Sequence, residues 1–347
     1  RGAKPGPVVL SDVMRKEFSL LLSHLLLAVT FAWAQPADGY YRDMDGTKDA
    51  ELKTALHGIV KGHKELSYGD LWTAFRTTDI RPDGYVWDMY SSSTNYVFGT
   101  NQDKGSHSME GDTYNREHSF PKSWFGGKVT PMYTDLFHLL PTDSYVNERR
   151  GNYPLGDVKT PSYSSSGGFS KLGVCGNTGY SGTVFEPADE YKGDFARIYF
   201  YMATRYEDVN GNWYTNPVAS DLLDPTGYYQ FYQPWYVQVL LEWHRKDPVS
   251  QKEKDRNNAV ESFQNNRNPF VDYPALVEFI WGRYKGIPVD YQAMKLYSND
   301  YDGVPDCVQA HSGREKKCLE VYDLSGRLVE KPARGIYIVV YSDEGGK

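Results

Sequence analysis

"YNREHSFPKSWFGG", residues 114–127, places an acid beside a histidine, between an arginine and a proline. Two readings of Glu117-His118 are open: the centre of an active site, or an ordinary polar pair at the end of a strand. Pro121 cannot donate to a ladder, so a strand carrying this cluster ends just after His118. The next informative segment is "YTDLFHLLPTDSYVNERRGNYPLG", residues 133–156. It reads as a short apolar strand from Leu136 to Leu140, halted by Pro141. Thr142 or Asp143 then caps a helix running through Tyr145, Val146, Asn147 and Arg150. The order strand, loop, strand, helix brings His118 opposite Asn147.

The residue types fit one chemistry. Phosphodiester hydrolysis needs a base to take a proton from water and a hard cation to balance charge on phosphorus. A neutral imidazole suits the first task. Oxygen ligands such as those of Glu117 and Asn147 suit Mg²⁺, which keeps several waters. An arginine such as Arg150 can pair bidentately with phosphate oxygens. A Glu-His pair before proline also arises by chance, so spacing alone leaves both readings standing.

Taken in order, these two segments resemble the endonuclease I family of secreted, non-specific bacterial nucleases, within the ββα-metal (His-Me finger) superfamily. "WHRKDPVSQKEKDRNNAVESFQNNRNPFVDYP" (243–274) is similar to the family's C-terminal helical block, and "LHGIVKGHKELSYGDLW" (56–72) to its N-terminal helix and loop. The resemblance runs from about residue 40 to residue 282. It implies an α+β fold, with the ββα-metal core embedded in a mainly helical domain. It implies His118 as general base and Glu117 with Asn147 as ligands of one Mg²⁺, with Mn²⁺ or Ca²⁺ as substitutes. Arg150 falls where the family keeps an arginine near the phosphate, with Arg149 as a competitor. Arg116 is a further candidate for substrate contact or support of the site. DNA and RNA are the implied substrates, cut to 5′-phosphate ends.

Several residues keep two readings. His138 either supports the site by hydrogen bonding or packs in the core. Asp135 reads as a turn or supporting residue rather than a ligand. Arg256 and Arg267 either track phosphates along a groove or fix the helical block by internal bonds. For Lys252, Lys254 and Arg256 a solvated helix face is the simpler alternative. His57 and His63 lack a ligand cluster and read as solvated or capping residues.

Composition sets outer bounds. The 347 residues are 40% hydrophobic and 24% charged, which is globular. Net charge is −7, which argues against coating nucleic acid through a global field but leaves room for a local basic groove. The 29 tyrosines and 8 tryptophans could form a surface sticky for sugars or bases, although aromatic residues more often fill cores. They prompt the rival reading, a non-catalytic surface adhesin or a nucleic-acid- or glycan-binding protein.

From Met14, "MRKEFSLLLSHLLLAVTFAWAQ" has the charged start, short apolar run and Ala-x-Ala site of a secretory signal peptide, residues 14–34. Residues 1–13 read as an upstream extension. The apolar run is short for a bilayer, so no permanent membrane span is expected. The catalytic domain is assigned to residues 35–296.

Within it, "AELKTALHGIV" from Ala50 has helical spacing at Leu52, Leu56, Ile59 and Val60, and "GYVWDMYS" reads as a strand. Residues 159–183 read as a long loop. Helices are expected from Gly193, over Pro234 to Pro248, over Ser250 to Gln264 behind a Ser-x-x-Glu capping box, and over "PALVEFIWG" to Gly282.

Residues 297–318 form a linker in which "NDYDGVPDC" is similar to calcium loops of thrombospondin type 3 repeats. Asp300, Asp302 and Asp306 would be ligands of a structural Ca²⁺; a plain acidic turn is the alternative. Residues 319–347 alternate at strand period, a small β appendage, and "VYDLSGRLV" with "GIYIV" resembles a type IX secretion sorting domain. Secretion machinery is therefore an expected partner, the location secreted or cell-surface, and the state monomeric. The three cysteines, Cys175, Cys307 and Cys318, show no paired zinc-ligand spacing.

Overall fold

The computed structural model describes residues 36–217, 219–297, 316–323 and 337–343. The expected signal segment (14–34), the candidate calcium ligands Asp300, Asp302 and Asp306, and Cys307 lie outside them. The chain runs through α1 (Asp49–Val60), α2 (Leu71–Thr78), β1 (Tyr114–His118), β2 (Leu139–Asp143) and α3 (Ser144–Arg150). β3 (Val158–Ser164), β4 (Lys171–Cys175) and β5 (Thr183–Glu186) follow, then α4 (Lys192–Arg205). A second helical run holds α5 (Pro234–Lys246), α6 (Gln251–Gln264), α7 (Pro269–Asp272), α8 (Leu276–Ile280) and α9 (Tyr291–Tyr297). Last come β6 (Lys316–Asp323) and β7 (Tyr337–Asp343).

The helices follow apolar periodicity. Leu52, Leu56 and Val60 recur every four residues on α1 and are fully buried. On α2 the buried set is Leu71, Ala74, Phe75 and Thr78. α4 is enclosed all round: Gly193 through Arg205 are buried, which makes it the axis of the core. Its Gly193 packs directly on the Asp247 carbonyl, where any Cβ would collide. α5 ends at Lys246, with Asp247 as its C-cap just before Pro248. Part of the aromatic excess fills this interior, with Tyr199, Tyr201, Tyr206, Tyr232 and Trp243 at most 1% exposed.

α6 starts with the expected capping box. Ser250 Oγ accepts from the Glu253 amide and Glu253 Oε2 from the Ser250 amide. Ser250→Ala should therefore cost about 1 kcal/mol, read as a lower urea midpoint at unchanged slope.

Three expectations are corrected. "GYVWDMYS" forms only an isolated bridge, Ile80 to Val86. The Asp88 carboxylate accepts from the Tyr90 and Ser91 amides, Thr94 Oγ1 and the Asp143 amide, and this draws the chain into turns. Residues 159–183 are not a loop but most of the antiparallel sheet β3-β4-β5. Lys159 to Ser162 are all exposed, so no apolar alternation marks that strand.

The second strand of the hairpin is Leu139–Asp143, not Leu136–Leu140. Asp135 Oδ1 takes the Phe137 amide, holding residues 135–137 in a turn. Pro141 lies inside the strand opposite Arg116. A two-stranded sheet leaves each strand a free edge, where a proline removes no ladder bond.

β6 and β7 pair antiparallel, with Lys316 opposite Asp343 and Asp323 opposite Tyr337, so the described parts of the tail are β structure. Among the described residues no helix is long and apolar enough to cross a membrane.

Candidate active site

The β1-β2 hairpin and α3 are locked together at Asp143. Its Oδ1 accepts from the Val146 amide at 2.8 Å and caps α3, and its Oδ2 takes the Gly111 amide at 2.7 Å. Strand alternation then divides the functional side chains. Asn115 and Glu117 face one way, toward α3. Arg116 and His118 face the other. Both pairs line one open cleft of about 410 Å³, together with Tyr68, Trp72, Lys122, Asn147 and Arg150.

His118 donates from Nε2 to the Tyr133 carbonyl at 3.0 Å, since a carbonyl only accepts. That bond sets the tautomer and leaves Nδ1 with its lone pair. The Tyr133 ring stacks on the imidazole, centroids 5.1 Å apart. Burial, then the nearby His138, pushes the His118 pKa well below the ordinary value, so the ring is neutral at neutral pH.

Glu117 Oε1 accepts from Tyr90 Oη at 2.9 Å and lies 3.5 Å from Arg150 Nε. Burial raises its pKa, and Arg150 and Tyr90 only partly offset that. Its charge is thus under-compensated by the chain. Asn147 Nδ2 donates to Asn115 Oδ1 at 2.7 Å, which leaves the Asn147 carbonyl oxygen as a donor to a cation. Among the described residues no group of three or more His, Cys, Asp or Glu side chains could hold a metal ion. One carboxylate and one amide oxygen suit a hard cation that keeps most of its water, rather than zinc.

Of the two adjacent arginines, Arg150 lines the cleft and is 1% exposed. It donates from Nη2 to Ser119 O at 2.6 Å and from Nη1 to Gly151 O at 3.0 Å. Arg149 is exposed and turned onto Tyr145, whose hydroxyl it reaches at 2.7 Å.

His138 lies behind His118, ring centroids 5.5 Å apart, donating from Nε2 to Met132 O at 2.6 Å. Arg256 and Arg267 are buried in ion pairs, with Asp79 at 2.8 Å and with Asp272 at 2.7 Å. The geometry supports their reading as internal fasteners. Lys252 is likewise not solvated but paired with Asp194 at 2.6 Å. His57 and His63 are buried rather than solvated: His57 Nδ1 donates to Arg205 O, the last carbonyl of α4, at 3.0 Å, a capping contact, and His63 Nδ1 accepts from Arg205 Nε at 3.1 Å.

Asn115, Tyr68, Trp72 and Lys122 escaped the sequence reading. Asn115 was findable, since period two puts it on the Glu117 face; Tyr68 and Trp72 carry no local signal.

Beneath the site, Asp135 accepts from Tyr201 Oη (2.9 Å), Tyr206 Oη (2.7 Å), Gln264 Nε2 (3.0 Å) and the Phe137 amide. Burial works against its charge, but His63, His138, Gln264 and that amide outweigh it and hold the carboxyl at about 2. The unfolded chain titrates near 3.9. Because the folded value is the lower one, Asp135 stabilises above about pH 4 and loses that contribution as pH falls toward 2. The loss is on the order of 2 kcal/mol, checked by urea unfolding at pH 5 and at pH 2.5. Asp135→Asn should flatten this part of the profile.

With this geometry in place, comparison with known proteins is direct. The endonuclease I family model matches residues 48–275. The chain belongs to the endonuclease I family. It is 38% identical over 248 residues to an extracellular ribonuclease of Bacillus amyloliquefaciens, covering 70% of this chain and 78% of that protein. It is 36% identical over 264 residues to an extracellular ribonuclease of Bacillus subtilis (strain 168), covering 75% and 84%. The ββα unit of this endonuclease I family member is thus β1, β2 and α3, and the helical domain around it runs from α1 to α9.

Proposed function

We propose that this chain is a secreted endonuclease that hydrolyses phosphodiester bonds of RNA and DNA to 5′-phosphate ends. His118 is the general base, and Glu117 with Asn147 holds Mg²⁺, for which Mn²⁺ or Ca²⁺ can substitute. The observation that carries this reading is the His118–Tyr133 hydrogen bond, which leaves a neutral imidazole with Nδ1 unprotonated beside an under-compensated carboxylate. The names of the two ribonuclease relatives support the substrate class and the extracellular location.

Nδ1 takes the proton of a water in the cleft as that water attacks phosphorus and the P–O3′ bond breaks, the departing 3′ oxygen taking its proton from solvent water. The Nε2–H bond to the Tyr133 carbonyl strengthens as the ring gains charge, so the base is held in place while it works. When bound, the cation supplies Lewis-acid neutralisation of charge developing on the phosphate oxygens. Asn115 keeps the Asn147 amide turned so that its oxygen is available. Contacts of this kind reach phosphate and sugar, so cleavage is not read by base sequence.

The test is incubation of the purified protein with total RNA and with plasmid, in Mg²⁺ or in EDTA. Both substrates should be degraded in Mg²⁺, and EDTA should stop the reaction. Intact substrates under every divalent metal tried would defeat the reading.

A further inference from the structure

Arg116 sits on β1 on the same face as His118. Its guanidinium carbon lies 3.6 Å from the centre of the Tyr68 ring and 4.3 Å from that of Trp72, so it is held by two aromatic rings. Nη1 donates to the Tyr68 carbonyl at 2.6 Å. Nε is shielded from solvent and has no hydrogen-bond partner among the described residues. Among the described residues no carboxylate pairs with Arg116, whereas Arg150, Arg256 and Arg267 each face one. Arg150 spends both terminal nitrogens on Ser119, Gly151 and Tyr199, and its Nε, also without a hydrogen bond, lies 3.5 Å from Glu117.

A guanidinium stays charged at any working pH, and its planar fork matches two oxygens of a phosphate. Fixed by its ring partners and left without an anion, Arg116 is organised in advance for one. Tyr68 also stacks on Tyr133 at 4.6 Å, and Tyr133 stacks on His118. One column of rings therefore sets the spacing between this cation and the imidazole.

We propose that Arg116 binds the non-bridging oxygens of the phosphodiester being cut, with Tyr68 and Trp72 as the residues that position it. This rests on the nuclease reading above and assigns the phosphate clamp within it.

The experiment measures binding of a single-stranded oligonucleotide in EDTA across a salt series, for wild type, Arg116→Gln, Arg116→Lys and Lys246→Gln. Lys246 is an exposed cation of α5, outside the cleft, and serves as the control. Arg116→Gln should weaken binding and reduce the slope of log affinity against log salt by about 0.7, the effect of one phosphate contact. Lys246→Gln should leave the slope as it is. Arg116→Lys keeps the charge and the slope but loses the fork, so kcat/KM on RNA should fall about tenfold or more.

A wild-type slope in a folded Arg116→Gln protein overturns the proposal. If that variant does not fold, full activity in Arg116→Lys overturns it instead. Failure of wild type to bind or cut at all removes the nuclease reading and this proposal together. Normal cutting by wild type with an unchanged Arg116→Gln slope removes this proposal alone.

Discussion

His118→Ala is expected to lower kcat for RNA hydrolysis by about 10³-fold, within the range for loss of a positioned general base. The expectation follows from the environment of the ring. Burial and the neighbouring His138 keep it neutral, and the bond to the Tyr133 carbonyl leaves Nδ1 as the one nitrogen able to accept a proton. Alanine removes that acceptor, and water would have to lose its proton to solvent. Other polar groups of the cleft, among them Arg116, Glu117, Lys122, Asn147 and Arg150, stay in place, so substrate binding should change much less than kcat. Single-turnover cleavage, with a melting temperature to certify the fold, is the measurement. A variant within tenfold of wild type would remove His118 from the chemistry.

Arg256→Ala should do the opposite: destabilise the protein by about 3–5 kcal/mol while leaving kcat/KM of the folded molecules within a few-fold of wild type. Arg256 Nε pairs with the buried Asp79 carboxylate at 2.8 Å, and Nη2 donates to the carbonyls of Leu136 and Leu139 at 2.7 and 2.9 Å. Truncation leaves a carboxylate buried without its cation and two carbonyls short of a donor at the start of β2. The cost comes mainly from stranding those groups, since a buried ion pair adds little net stability while intact. Urea unfolding and RNA kinetics on the same preparation check both halves. A stable variant with a raised KM would move Arg256 from the core to the substrate groove.

The parts legible in the sequence share a property: their signals are short and contiguous. Leu52, Leu56 and Val60 declare α1 through spacing alone, and Ser250 with Glu253 declares the start of α6. A cap of α3 at Thr142 or Asp143 is legible for the same reason; the structure uses Asp143, which places Asn147 one turn into that helix. The strand limits around Pro141 were not legible. Asp135 holds residues 135–137, just before the strand, in a turn through the Phe137 amide, and its own carboxylate is fixed by Tyr201, Tyr206 and Gln264, all distant in the chain. The sheet β3-β4-β5 stayed hidden because its first strand is solvent-facing, and apolar alternation records burial rather than pairing.

The sequence by itself determined the family, the hairpin-helix unit and the presence of Glu117, His118, Asn147 and Arg150 within it. A short linear order of residues carries all of these. Only the tertiary structure decided which nitrogen of His118 keeps a free lone pair, because the Tyr133 carbonyl that settles it belongs to the loop between the strands. The same holds for the arginines. Arg256 and Arg267 bind partners inside the fold, Arg149 turns to solvent, and Arg116 is held against two aromatic rings from α2 and the loop before it. A charge in a sequence has no direction, and its role follows from the partner that folding places within reach.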